Sequence, residues 1–181
     1  MSADILILLS GGVDSSVVLA MYRNMIRDAV FFDYNQHHKV EVESAIKQSE
    51  IEGVPLSIHR LPSLRKANDV VFCGRNALML SYAFALAQAN GIPKVAIGTN
   101  KSDHGRFPDC RPDFLQAMFC VAEAYGLELL YPLSDKSKSD VVTMAKELGV
   151  NLQETWTCYN PLDGKQCGQC YSCLGLKDAK G

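Results

Sequence analysis

Apolar and polar positions fall into two kinds of block along the chain. Short apolar runs at Ile5 to Leu9, Ala29 to Tyr34, Pro55 to Leu61, Lys94 to Asn100 and Leu127 to Leu133 have the length of buried strands. Between them lie longer segments with a helical period: Ser15 to Met25, Lys39 to Ile51, Arg75 to Asn90, Pro112 to Tyr125 and Ser137 to Leu148. Several helix ends are marked. Gly91 and Pro93 close the third, Pro112 opens the fourth before Gly126 ends it, and Gly149 ends the fifth. Residues 61–74 and 101–111 have no period and read as loops. From Gln153 onward the pattern gives way to turns and cysteines. This alternation predicts an α/β fold: a doubly wound, mainly five-stranded parallel sheet with helices on both faces. No internal repeat interrupts it. The composition shift near residue 153 separates a main domain, 1–152, from a C-terminal segment, 153–181, expected to pack on that same domain.

Composition narrows the picture. The 181 residues are 48% apolar and 21% charged, enough for a real core. The formal net charge of -2 lacks the basic excess of a phosphate-backbone binder, so no direct nucleic-acid binding is expected. No apolar stretch is long enough to span a membrane. The start, MSADILILLSGG, has neither the basic flank nor the cleavage site of a signal peptide. A cytoplasmic protein is expected, in which disulfides are rare, so the seven cysteines need another reading.

Chemistry concentrates after the first strand. The loop Ser10-Gly11-Gly12-Val13-Asp14-Ser15-Ser16 runs from that strand into a helix. In an open parallel sheet, ligands bind beyond the carboxyl ends of the strands. Two glycines allow a tight turn and a close backbone approach. The helix start offers unpaired N–H groups and a positive dipole end, which together favour an anion such as phosphate. Serine hydroxyls add donors. Asp14 beside phosphate makes sense if it meets a cation, so it is expected to help place Mg²⁺. A simple helix cap is the plainer reading of the same residues. The loop is not a Walker A, since GxxxxGK[ST] is absent.

SGGVDSS resembles the pyrophosphate loop of the N-type ATP pyrophosphatases. That resemblance implies an adenine nucleotide alpha hydrolase-like, Rossmann-like fold. It also implies cleavage of ATP between its α and β phosphates, with AMP passing to a substrate oxygen. Four more stretches follow in order: FDYNQHH (32–38), GRN (74–76), PDCRPDF (108–114) and TWTCY (155–159). With the loop they resemble the 7-cyano-7-deazaguanine (preQ0) synthase family, over almost the whole chain. The resemblance implies a queuosine-type biosynthetic ligase acting on 7-carboxy-7-deazaguanine, ATP and ammonia, through an adenylated carboxylate and then an amide. It implies a homodimer as well. ATP contacts are carried over to Leu8, Leu9, Ser10, Gly11, Gly12, Val13, Asp14, Ser15, Ser16, Val17 and Val18, and substrate contacts to Tyr34, Gln36 and His38. Lys138 matches a lysine that the family places before its last core helix. The pattern is broken at Asn35, His37, Gly105 and Arg106.

The remaining candidates are read from their chemistry. Arg75 has a donor fork suited to phosphate or carboxylate, and Asn76 stands beside it at a helix start. Asp103, Asp109 and Arg111 follow the fourth strand. A carboxylate there could pair with a guanine-like edge, and Arg111 with the substrate carboxylate; Asp109 as a cap of the following helix is the alternative. Asp14, Arg75, Lys138 and Arg111 form the expected catalytic set. Cys110 reads as a packed thiol, not a nucleophile. Trp156 and Tyr159 read as packing around a metal or as stacking platforms for a base.

Cys158, Cys167, Cys170 and Cys173 have the spacing C-x8-C-x2-C-x2-C, and Gly168 permits a tight turn between two of them. Four thiolates make a closed structural Zn²⁺ site. A 4Fe–4S cluster is the rival, and the resemblance favours one zinc per chain. Rival functions are an enzyme that stops at the amide, a related sulfur-transferase or lysidine synthetase acting on tRNA, and a non-enzymatic nucleotide- and zinc-binding module.

Overall fold

A computed structural model describes residues 3–34, 40–62 and 74–180. Five strands form one sheet: β1 (Ile5–Leu8), β2 (Ile26–Asp33), β3 (Leu56–Arg60), β4 (Lys94–Ala96) and β5 (Glu128–Leu130), in the order β3-β2-β1-β4-β5. Every pairing is parallel. The helices are α1 (Val13–Met21), α2 (Val40–Glu52), α3 (Arg75–Ala89), α4 (Pro112–Ala124), α5 (Lys138–Glu147) and α6 (Tyr171–Lys180). Two short 3₁₀ turns, Lys101–Asp103 and Pro108–Cys110, lie in the stretch read as a loop.

The period of two along the central strands divides the core into two layers. Leu6, Leu8, Val30 and Phe32 face one way and pack on Leu80, Phe84 and Ala87 of α3 and Leu115 and Ala122 of α4. Ile5, Ile7, Ala29 and Phe31 face the other way and pack on Val17 and Val18 of α1, Ala45 of α2 and Val141 and Ala145 of α5. Because both faces are covered, β1 is apolar throughout, and all four of its residues are buried.

Strand order reverses between β1 and β4. That is the switch point at which an open α/β sheet leaves a crevice. Gly98 sets its width: a Cβ there would lie 2.8 Å from the Asp14 carbonyl carbon and the Ser15 nitrogen. The segment after β4 thus lies directly against the first turn of α1.

One expectation about the tail needs correction. Residues beyond 153 do not run only in turns, because Tyr171–Lys180 is a helix. Its buried positions, Cys173 and Leu176, are three apart, with partly buried Ala179 next in step. Cysteines read as metal ligands and the internal Gly175 disguise that period. Leu176 and Ala179 join the α1/α5 layer of the core.

Gly98→Ala is expected to lower the unfolding free energy by about 2 kcal/mol or more, since backbone must move to admit the methyl group. Urea denaturation of the two proteins checks this. An unchanged midpoint would contradict the close approach.

Candidate active site

The crevice at the switch point is a cavity of about 520 Å³. Its floor is the β1–α1 loop. Gly12 is the N-cap of α1, and no side chain caps this helix. The nearby hydroxyls are engaged elsewhere. Ser15 Oγ and Ser16 Oγ lie 3.1 and 2.9 Å from the Gly12 carbonyl, to which both donate. Ser10 Oγ accepts from the Gly12 N–H at 3.3 Å and lies 3.1 Å from Ser15 Oγ. Among the described residues no side chain caps the first turn of α1, whose residues Val13, Asp14 and Ser15 line the cavity.

The two glycines do different work. Gly11 has φ +78, and a Cβ on it would sit 2.7 Å from Ala45 N and Glu41 O, so its close approach is to α2 and not to the cavity. Its carbonyl accepts from Trp156 N at 2.8 Å and lies 2.8 Å from Ser44 Oγ. Ser44 Oγ also lies 2.6 Å from the Glu154 carbonyl. These bonds join the loop to the C-terminal segment. Leu8, Leu9, Ser10, Gly12, Val13, Asp14 and Ser15 line the cavity. Val17 and Val18 are core residues, fully buried.

Charged groups converge above this floor. Lys138 Nζ donates to Asp14 Oδ2 at 2.6 Å. Lys138 is the first residue of α5, where a cation opposes the helix dipole, and the Asp14 carboxylate offsets that cost. Asn100 Nδ2 donates to Asp14 Oδ1 at 3.0 Å and to Asp103 Oδ2 at 2.8 Å. Burial, and then the Asp14 charge, push the Asp103 carboxyl up to about 6. Arg75 Nη1 donates to the Tyr34 hydroxyl at 3.0 Å, while its buried Nε has no hydrogen-bond partner among the described residues. Burial opposes the charge of Arg75, but Tyr34, Tyr159 and Glu41 outweigh that cost and raise its pKa.

Other candidates are placed differently. Asp109 caps α3, not the following helix: its Oδ2 accepts from Asn76 N at 2.9 Å. Asn76 Nδ2 in turn donates to the Asp109 carbonyl at 2.9 Å. Asn76 lines the cavity with its side chain already bonded to protein. Arg111 is exposed, donates through Nε to the His104 carbonyl at 2.9 Å and lies outside the cavity lining. The structure therefore does not bring Arg111 to the site. Gln36, His38 and the pattern breaks at Asn35 and His37 fall outside the described residues. Of the other breaks, Gly105 lies among the polar residues of the 101–111 stretch, and the Arg106 guanidinium lies 5.0 Å from the Tyr171 ring centroid. Cys110 is buried, and burial followed by the Asp103 and Asp109 charges pushes its thiol up to about 12, which makes it a poor nucleophile.

The C-terminal segment forms the remaining wall through Trp156, Tyr159, Tyr171 and Ser172. Tyr171 Oη donates to the Ser102 carbonyl at 2.8 Å. The sulfurs of Cys158, Cys167, Cys170 and Cys173 all lie within 4.8 Å of one another. Sulfurs bound tetrahedrally to one Zn²⁺ stand about 3.8 Å apart, so the cluster fits a single ion. The Gln169 and Cys170 N–H groups hold the Cys167 thiol down at about 6, while burial pushes Cys158 and Cys173 up. A cation among them would favour all four thiolates.

An uncapped helix start, a cavity at the switch point and convergent Lys, Arg and Asp side chains define an α/β protein of the pyrophosphate-loop class. Solved structures agree on the fold. The chain superimposes on the NMN synthetase from Francisella tularensis with a TM-score of 0.63 at 20% identity, covering 92% of this chain and 71% of that one. It matches the NH3-dependent NAD synthetase from Campylobacter jejuni with a TM-score of 0.55 at 18% identity, covering 85% and 67%. Sequence is more specific. The family described as "Queuosine biosynthesis protein QueC" matches residues 4–73 and 66–179, and the chain belongs to that family. Its relatives include the 7-cyano-7-deazaguanine synthases of Leptospira interrogans, 35% identical over 200 residues, and Acaryochloris marina, 34% identical over 218. These alignments cover 93% of this chain and 82% of the first relative, and 95% and 96% for the second.

Sequence reasoning missed Gly98 and Asn100, although both stand in GTN at the end of a strand, where a ligand site was already expected.

Alkylation of the native protein at pH 8 is expected to modify exposed Cys120 and to spare Cys110. Peptide mass mapping checks this; rapid labelling of Cys110 would contradict its packed, protonated state.

Proposed function

We propose that the chain is a 7-cyano-7-deazaguanine synthase, which uses ATP and ammonia to convert 7-carboxy-7-deazaguanine to the nitrile. The observation that carries this reading is the uncapped start of α1 opening into a cavity with Arg75, Lys138 and Asp103 on its walls. The first-turn amides of α1 hold the β and γ phosphates, where they and Lys138 stabilise the departing pyrophosphate. The substrate carboxylate attacks the α-phosphorus, and the bond to the β-phosphate oxygen breaks. Arg75, whose Nε has no partner among the described residues, steers that carboxylate. Ammonia adds to the activated carbonyl, AMP leaves with the former carboxylate oxygen, and a proton goes to solvent to give the amide. In a second round the amide oxygen takes AMP from another ATP. Loss of AMP and of the remaining amide protons leaves the nitrile. The cavity walls exclude water from both adenylates.

Asp103 offers a carboxylate to the N–H edge of the deazaguanine. Asp14 is the residue that would hold a Mg²⁺ arriving with ATP, which neutralises phosphate charge. The four cysteines would hold one Zn²⁺, which fixes the segment bearing Trp156 and Tyr159. No helix among the described residues is long and apolar enough to cross a membrane. A cytoplasmic homodimer without direct nucleic-acid contact completes the reading.

With all three substrates, the protein is expected to release AMP and pyrophosphate. Mass spectrometry of the product is expected to find the nitrile; amide alone would show an enzyme that stops after one round. Lys138→Met is expected to lower kcat/KM by about a hundredfold, as for loss of a half-buried charge-assisted contact to phosphate. A variant as active as wild type would contradict its role.

Elemental analysis is expected to find one zinc per chain. Its removal by a strong chelator should lower Tm and raise KM for ATP, because Trp156 no longer fixes Gly11. An iron–sulfur chromophore, or an unchanged Tm without metal, would contradict the zinc assignment.

A further inference from the structure

Asn100 is 1% exposed, yet every polar atom of its side chain is used. Its Oδ1 accepts from Ser102 N at 2.9 Å, capping the 3₁₀ turn Lys101–Asp103. Only oxygen can accept there, so this bond fixes which end of the amide is which. Both Nδ2 protons then point at carboxylates: Asp14 at 3.0 Å and Asp103 at 2.8 Å. The two acids come from separate elements, the first turn of α1 and the turn after β4. Lys138 reaches the other oxygen of Asp14. Among the described residues, Asn100 is the one side chain that hydrogen-bonds the Asp103 carboxylate.

We propose that Asn100 is a positioning residue for the reaction: its carboxamide holds the Asp14 and Asp103 side chains side by side against the same part of the cavity. Two carboxylates so placed repel, and a shared donor offsets that repulsion. A neutral amide with two N–H groups is suited to joining them, since it adds no charge that would compete with Lys138 for Asp14. The significance for catalysis rests on the adenylation reading; the geometry does not.

Asp103 is faced by Asp14 from α1, Lys138 from α5, Arg75 from α3, Cys110 from the second 3₁₀ turn, and Tyr159 and Tyr171 from the C-terminal segment. Burial and Asp14 raise its pKa, and Lys138, Arg75 and the Asn100 bond lower it. Removing that bond leaves the carboxyl protonated to higher pH. Activity that needs ionised Asp103 is present above its pKa and fails as pH falls through it, so the acidic limb moves upward.

The test uses Asn100→Asp, which keeps the shape but loses the donors, and Asn100→Ser, which is smaller and neutral. Carboxyl ¹³C NMR titration of the free protein, with Asp103 assigned through Asp103→Asn, requires no substrate. Asp103 is expected to titrate at higher pH in both variants. In steady-state assays of AMP release, kcat/KM is expected to fall about tenfold or more. Its acidic limb should move to higher pH, and the Asn100 substitutions should cost much less in an Asp103→Asn background. Wild-type titration of Asp103 in both variants would overturn the proposal. So would an unmoved limb with activity lost only in proportion to folded protein. Should wild-type protein release no AMP, the functional reading fails, and the NMR titration still decides the role of Asn100.

Discussion

The first turn of α1 is left without a side-chain cap, and the surrounding residues are arranged to keep it so. An Asp or Ser near a helix start would ordinarily turn inward and satisfy an amide, a bond worth about 1 kcal/mol. Here Asp14 is held by Lys138 and Asn100. Ser15 and Ser16 bond back to the Gly12 carbonyl. Gly11 turns its own carbonyl away, toward Trp156 and Ser44. The result is a local instability maintained by neighbours on four other elements. An anion relieves it, and that is the sense in which this site is preorganised.

The fold supplies the rigidity this requires. Apolar side chains leave β1 and β2 alternately for two separate layers, so both faces of the strand behind the loop are locked. Gly98 brings the segment after β4 against the same helix start. The C-terminal segment closes the remaining side, tied to the loop by one backbone bond and to the 3₁₀ turn through Tyr171. The cysteine cluster sits at the base of that segment. A metal there would stabilise a cavity wall as well as a tail.

Much of this was legible in the sequence because it is local. Apolar runs and helical periods report which face is buried, so the five strands and first five helices were predicted close to their places. The loop and the cysteines carry their meaning in spacing. What was not legible depends on which side chains meet across elements. GTN could be read as the end of a strand, but not as the bridge between Asp14 and Asp103. PDCR placed Arg111 near the site in sequence, yet its backbone turns the side chain outward to His104. Asp109 was weighed as a cap, and the helix it caps is 33 residues earlier in the chain. The helix Tyr171–Lys180 was hidden because its buried face is partly cysteine.

If a substrate oxygen, and not water, attacks the α-phosphorus of a nucleotide held at this helix start, that oxygen must leave with AMP. Oxygen transfer tests it most directly. The reaction is run with 7-carboxy-7-deazaguanine carrying ¹⁸O in its carboxylate, and the nucleotide product is analysed by mass spectrometry. ¹⁸O is expected in AMP and none in pyrophosphate. Label in inorganic phosphate alongside ADP, or AMP free of label, would contradict it.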